Sequence, residues 1–277
     1  VDRPDWRLIL SGALPGALNM ALDEVFLEAV RQGHSAPVVR FYQWERPTLS
    51  LGYAQSAARA VNTDFCRDKG IAVVRRITGG RSVLHDRELT YAVISPEKNT
   101  IFPGGIRGNY RVIAEVLRDA FLRFGIPAHL ASGREKAPVG VGDYRHNVCF
   151  CSPSLYELTV AGCKVAGSAQ TRRHGCFLQH GSLPLEMDAE LLSGALRTSG
   201  SPPVTEQAVD LTDSVGWLNR FAAAGVSAPE LQRAIQEVME ESWGIRLERG
   251  EVTAEEMAAA VDLQHDKYEN AAWTLGR

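Results

Sequence analysis

A cysteine attacks as its thiolate, so chemistry in this chain is best sought where a thiol has a cation nearby. Four of the five cysteines and three of the seven histidines lie between His146 and Ser182, in the run HNVCFCSPSLYELTVAGCKVAGSAQTRRHGCFLQHGS. Cys149 is the thiol most open to a nucleophilic role, and Lys164 is the best local candidate cation, lodged among the small residues Ala166, Gly167, Ser168 and Ala169. A turn at Ala161-Gly162 folds the two into reach of one pocket, and Arg145, Arg172 and Arg173 add positive field. Composition alone favours a plainer arrangement, a solvated lysine beside a buried cysteine. A metal is the competing chemistry, since Cys149, Cys151, Cys163, Cys176, His146, His174 and His180 are all potential ligands. Neither the paired C-x-x-C spacing of structural zinc nor an H-E-x-x-H helix is present, so no metal site is assigned.

A second stretch with chemical content is RRITGGRSVLHD, from Arg75 to Asp86. The strand before it delivers Gly79-Gly80 to a strand end, where glycine lets backbone approach a ligand and offer amides to a carbonyl or phosphate oxygen. A Gly-Gly pair by itself usually only turns the chain. His85-Asp86 has the form of an acid–base pair, although a lone histidine is more often structural.

These stretches need a scaffold, and the hydrophobic periodicity supplies one. Strands are predicted at 6–12, 37–44, 48–55, 72–74, 89–94, 126–131, 155–160, 164–169 and 176–183, and helices at 18–30, 62–70 and 109–124. Asn19 and Asp23 share one helix face, where such polar pairs are usually solvated, and Cys66 reads as core. Residues 132–147 read as a loop rich in glycine and charge. Beyond Leu185 the pattern is mostly helical, including 214–225, a helix opened by Ser227 ahead of Pro229 and stopped by Gly244, and a short strand at 244–252. Strands mixed with helices and hairpins give an α+β fold with a mixed, largely antiparallel sheet and flanking helices, not a doubly wound one. Residues 1–200 are expected to form the catalytic domain, with 201–277 a small C-terminal helical extension packed on it.

The 277 residues, 45% of them hydrophobic, suffice for a substantial core, and five cysteines is an odd number that argues against a disulfide framework. A net charge of −3 gives no general attraction to nucleic acid or membrane. No apolar run reaches the ~18 residues of a membrane span. VDRPDW lacks the features of a secretion signal, so a cytoplasmic protein is expected.

Five motifs in order, ALNMALDE (17–24), VVRFYQWERPTLSLGYAQ (38–55), RRITGGRSVLHD (75–86), KVAGSAQTR (164–172) and QHGS (179–182), resemble the biotin/lipoate protein ligase superfamily, in its lipoate branch. Within that branch the chain is most similar to cysteine-dependent octanoyl-[acyl carrier protein]:protein N-octanoyltransferases. The resemblance implies that Cys149 accepts an octanoyl group from the carrier as a thioester, and that a lysine of a lipoyl-domain protein, such as the glycine cleavage H protein, then takes it. It implies that Lys164 lowers the Cys149 pKa and supports the thioester carbonyl, with Arg75, Gly79, Gly80 and His85 lining the acyl pocket. No cofactor is implied. Cys151 stands where the family pattern does not usually have cysteine. The alternatives are an ATP-dependent lipoate-protein ligase, disfavoured by Arg81 in place of a third glycine, and a lipoyl amidotransferase. An acidic carrier would be met by a rim of Arg76, Arg81, Arg172 and Arg173.

Overall fold

A computed structural model describes residues 4–133, 155–197 and 215–276 of the chain. Its main sheet holds β1 (Asp5–Leu14), β2 (Val38–Trp44), β6 (Glu88–Pro96), β10 (Gly167–Arg173), β11 (Cys176–Pro184) and β12 (Arg246–Gly250), in the order β10-β11-β6-β2-β1-β12. The pairings from β10 to β2 are antiparallel, while β1 runs parallel to both β2 and β12, so the sheet is mixed and largely antiparallel as expected. A small sheet is built from β3 (Thr48–Leu51), β4 (Ala72–Arg75) and β5 (Val83–His85), with β3 in the middle. A third joins β7 (His129–Leu130), β8 (Leu158–Val160) and β9 (Cys163–Lys164).

Helices α1 (Gly16–Arg31), α2 (Ala57–Ala60), α3 (Thr63–Asp68), α4 (Ile106–Leu122), α5 (Ala189–Ala195), α6 (Ala228–Trp243), α7 (Ala254–Leu263) and α8 (Ala271–Thr274) surround these sheets. Strand side chains alternate between faces, and that parity decides what each face becomes. Val39, Phe41, Tyr91, Val93, Phe177 and Leu183 turn to one side, where α4 and α6 cover them with Ile113, Leu117, Phe121, Leu231 and Ile235. The opposite parity carries Val38, Ala92, Ile94 and Leu178 against Leu22 and Phe26 of α1. It also carries Arg40, Tyr42, Trp44, Thr90, His180 and Ser182, all with the same parity as that apolar set. The polar end of this face is where the site lies.

Three differences from the sequence reading have physical causes. The helix expected over 214–225 is a single 3-10 turn at Leu218–Arg220. Gly216 hugs Val165 and the Lys164 carbonyl, the Asn219 amide bonds the Leu185 carbonyl, and the Asn219 side chain accepts from the Val226 amide; these tertiary bonds outweigh local propensity. β5 lies in a stretch to which the sequence assigns no element, because three residues show no periodicity. Asn19 and Asp23 are fully buried instead of solvated. The Ser227 start and Gly244 stop do bound α6: Glu230 accepts from the Ser227 amide and Gly244 is left-handed with φ 63°. After residue 215, β12 pairs with β1 and α6 fills the core beside α4, so this part shares the sheet and core of the rest.

One close approach fixes the loop after β4. A Cβ on Gly52 would stand 1.9 Å from the Gly80 carbonyl oxygen, so the chain after β3 lies directly against the Gly79-Gly80 backbone. Gly52→Ala should therefore destabilise the protein by about 1–3 kcal/mol through overpacking. Urea unfolding checks this, and an unchanged midpoint would mean that the two loops are free to separate.

Candidate active site

Arg76 organises the site. It is buried, only 4% exposed, and oxygen dipoles surround its guanidinium. Its Nε donates to Thr78 Oγ1 (3.1 Å), Nη1 to the Ser50 carbonyl and hydroxyl (both 3.0 Å), and Nη2 to the carbonyls of Gly79 (2.9 Å) and Arg81 (2.7 Å). These five bonds match the five N–H donors of a guanidinium. The charge is thus spread over oxygen dipoles, and the loop carrying the two glycines is tied to its own strand.

Each hydroxyl passes the bonding on to a histidine. Ser50 Oγ lies 2.8 Å from His85 Nε2, and His85 Nδ1 lies 2.8 Å from Glu88 Oε1. Thr78 Oγ1 lies 2.7 Å from His180 Nε2, and His180 Nδ1 lies 2.8 Å from Asp23 Oδ2. A carboxylate can only accept, so each ring turns an Nδ1–H to its acid; in the neutral ring Nε2 then accepts the hydroxyl proton. The two chains run in the same direction, from Arg76 through a hydroxyl and an imidazole to a buried acid.

Both acids are held by further donors. Asp23 takes Arg40 Nη1 (2.7 Å) and the Tyr42 hydroxyl (3.0 Å), and the fully buried Arg40 also reaches Asn19 Oδ1 (2.6 Å). Burial by itself would raise the Asp23 pKa, but the Arg40 charge and His180 bring it below the ordinary 3.8. Burial lowers the His180 pKa below 6.5 against the opposing pull of Asp23, so neutral imidazole faces ionised carboxylate. Glu88 accepts from Trp44 Nε1 (3.2 Å), Thr90 and Ser182, and the Trp44 ring stacks on His85 at 4.0 Å.

Between these walls is a cleft with about 390 Å³ of empty space. Met20, Tyr42, Trp44 and Val83 give it apolar surface, and Gly80, Ser168 and Ala169 stand at the end it shares with a wider outer groove. Gly181 permits the narrow wall, since a Cβ there would meet Tyr91 at 2.5 Å. The wall's polar groups are engaged with one another, which leaves ring faces and methyl groups toward a ligand.

The residues singled out from sequence are distributed unevenly around this cleft. His85 and Gly80 line it, while Gly79 lines the outer groove. Arg75 points away: its guanidinium donates to the carbonyls of Gly52, Tyr53 and Gln55 and to those of Trp273 and Thr274, tying the C-terminal segment to β4. The acid of His85 is Glu88, not the neighbouring Asp86. Lys164 is not a solvated lysine; it is 1% exposed and donates to the Glu157 carboxylate. Cys149, Cys151, Arg145 and His146 lie outside the described residues. Cys66 is core, and burial pushes its thiol up to about 11.

Of the four arginines expected at a rim, Arg81 lines the outer groove. Arg76 is inside the wall, Arg172 pairs with Glu97, and Arg173 pairs with Glu24. The sequence reading gave Arg40 no role and weighed His180 only as a possible metal ligand, although both share parity with Tyr42 and Thr90 on predicted strands; Glu88 lies just before the predicted strand 89–94. Among the described residues no group of three His, Cys, Asp or Glu side chains is placed to hold a metal, and no helix is long and apolar enough to cross a membrane.

The fold is that of lipoate protein ligases. A bi-partite lipoate protein ligase from Thermoplasma acidophilum superposes with a TM-score of 0.82 at 23% identity, covering 99% of this chain and 97% of that one. Residues 15–240 match the model of the lipoyl protein ligase A/B catalytic domain, and the chain belongs to that family. Among its relatives, the octanoyltransferase LipM of Geobacillus kaustophilus is 39% identical, over 98% of each chain. That of Bacillus subtilis is 37% identical over the full length of both.

The acid side of the site has a defined pH signature. A carboxyl or imidazole whose pKa is lower in the folded state stabilises the fold above its unfolded pKa, and that stability is lost as pH falls. For His180 the loss begins below 6.5, and for Asp23 it begins below 3.8. His180→Gln should flatten the upper part of the wild-type decline in unfolding free energy while leaving the part below 3.8. An unaltered slope below 6.5 would show that folding does not lower the His180 pKa.

Proposed function

We propose that the protein is an octanoyltransferase of lipoate assembly, taking the octanoyl group from acyl carrier protein and delivering it to a lysine of a lipoyl-domain protein such as the glycine cleavage H protein. The observation that carries this reading is the saturated Arg76. With its five N–H bonds spent on the wall, the cleft offers an apolar chain a dry slot and offers a free carboxylate or a phosphate no cation from that arginine. A neutral thioester suits such a slot better than an acid that must first be activated. Burying the methylenes of an octanoyl chain at about 0.8 kcal/mol each gives on the order of 5 kcal/mol of binding. The full-length relatives named as octanoyltransferases support the same reading.

In this reading the Cys149 thiolate attacks the carrier's thioester carbonyl, the carbon–sulfur bond to the carrier breaks, and the carrier leaves as its thiol. The acceptor's ε-amine then attacks the new thioester, forming the amide, giving up a proton and returning Cys149. Lys164 supplies the positive field for the thiolate and for the oxyanion, held in place by Glu157. His85, Gly79 and Gly80 shape the slot and its mouth. Arg75 keeps the strand that carries Arg76 anchored. A cytoplasmic location goes with this assignment, and no cofactor enters it.

Intact mass measured after mixing the protein with octanoyl-carrier protein in the absence of ATP tests it. Wild type and Cys151→Ala should gain a hydroxylamine-labile octanoyl adduct that Cys149→Ala lacks. Absence of any adduct, together with acceptor labelling from free octanoate and ATP, would make the protein a ligase.

A further inference from the structure

The cleft opens into a groove of about 900 Å³, which shares Gly80, Ser168 and Ala169 with it and runs out between the Arg81 loop and the start of α4. Residues four apart on a helix lie one above the other. Ile106 and Tyr110 form one such pair and wall the groove, with Ile106 55% exposed. The adjacent stripe is Arg107 and Arg111, both exposed. No acidic residue occupies the first turn of α4, and the helix starts at Gly105 without a side-chain cap, so its positive end adds to the two arginines. Lys98 lies against the Gly104 turn on the same edge.

The acids around this edge are largely neutralised. Glu97 is paired with Arg172 and Glu157 with Lys164. Glu115 bonds Arg111 at 2.8 Å, an exposed i,i+4 pair of the kind that contributes little and exchanges readily with water. Arg107 makes no ion pair among the described residues. The outcome is a basic stripe beside an exposed isoleucine at the mouth of an apolar cleft, in a protein whose net charge is −3. A local cationic patch on an acidic protein selects an acidic partner at one place only.

We propose that the N-terminal end of α4, with Arg107 and Arg111 as its charged contacts and Ile106 as its apolar one, is the docking surface for the acidic acyl carrier protein, whose acyl-bearing arm enters the cleft along this groove. The inference rests on the octanoyltransferase reading and adds the surface by which the donor is recognised. Arg172 and Arg173 are weaker candidates, because their acids Glu97 and Glu24 are more enclosed than Glu115.

Transfer to acceptor domain should be compared for two donors, octanoyl-carrier protein and octanoyl-pantetheine, which has the reactive thioester without the carrier surface. Arg107→Glu/Arg111→Glu should raise KM for the carrier on the order of tenfold at low ionic strength, with a smaller effect at high salt and kcat little changed. With octanoyl-pantetheine the double variant should match wild type, and Arg107→Lys/Arg111→Lys should restore the carrier KM. An unchanged carrier KM at low salt overturns the proposal, as does an equal loss with both donors. A raised KM for the acceptor domain alone would assign the stripe to the acceptor and likewise overturn it. If wild type takes octanoyl from neither thioester, the octanoyltransferase reading has failed instead.

Discussion

A guanidinium removed from water is tolerated only if every N–H finds an oxygen, and Arg76 meets that condition with two hydroxyls and three carbonyls. Much else follows from satisfying it. The carbonyls come from β3 and from both ends of the Gly80 turn, so the charge draws strand and loop into one body. The hydroxyls use their own protons on His85 and His180, and those rings in turn require Glu88 and Asp23. Arg40 and His180 then keep Asp23 ionised in a fully buried place. A single buried cation therefore fixes, through two hydroxyls, the orientation of two imidazoles that line the cleft.

The same network explains how a wall so rich in polar atoms encloses an apolar space. Hydrogen bonds run within the wall, ring to acid and hydroxyl to ring, and Trp44 lies flat against His85. What reaches the lumen is the ring faces, Met20 and Val83. The C-terminal segment contributes from outside: Arg75, adjacent to Arg76 but of opposite strand parity, holds the Trp273 and Thr274 carbonyls, and the Trp273 indole donates back to the Arg75 carbonyl. Consecutive arginines on one strand thus serve opposite faces, one building the cleft and the other fastening the last helix over the strand.

Much of this was legible in the sequence, and the limits of that legibility are physical. Alternation and turn chemistry revealed the main sheet, α1, α4 and α6, because long amphipathic elements carry their period over many residues. The three residues of β5 carry none, and the segment after Val215 takes its shape from contacts with Val165 and Leu185 that no local pattern encodes. The motif around Gly79, Gly80 and His85 indicated the cleft. Arg75 faces the Gly52 and Trp273 carbonyls while Arg76 faces the cleft wall, since side-chain direction in a run of two arginines depends on where the strand begins. Asp23 and Asn19 looked solvated because their partners, Arg40 and His180, lie 17 and 157 residues away. Burial of a polar pair is a tertiary fact.

The proposed function requires that Arg76 stay in the wall and that the slot beside it hold a neutral acyl chain. A crystal structure of the protein bearing an octanoyl group tests this most directly. The account predicts alkyl density between the Trp44–His85 stack and Met20, with the five Arg76 hydrogen bonds intact. Density elsewhere, or an Arg76 guanidinium turned out of the wall to bind the acyl carbonyl, would contradict it.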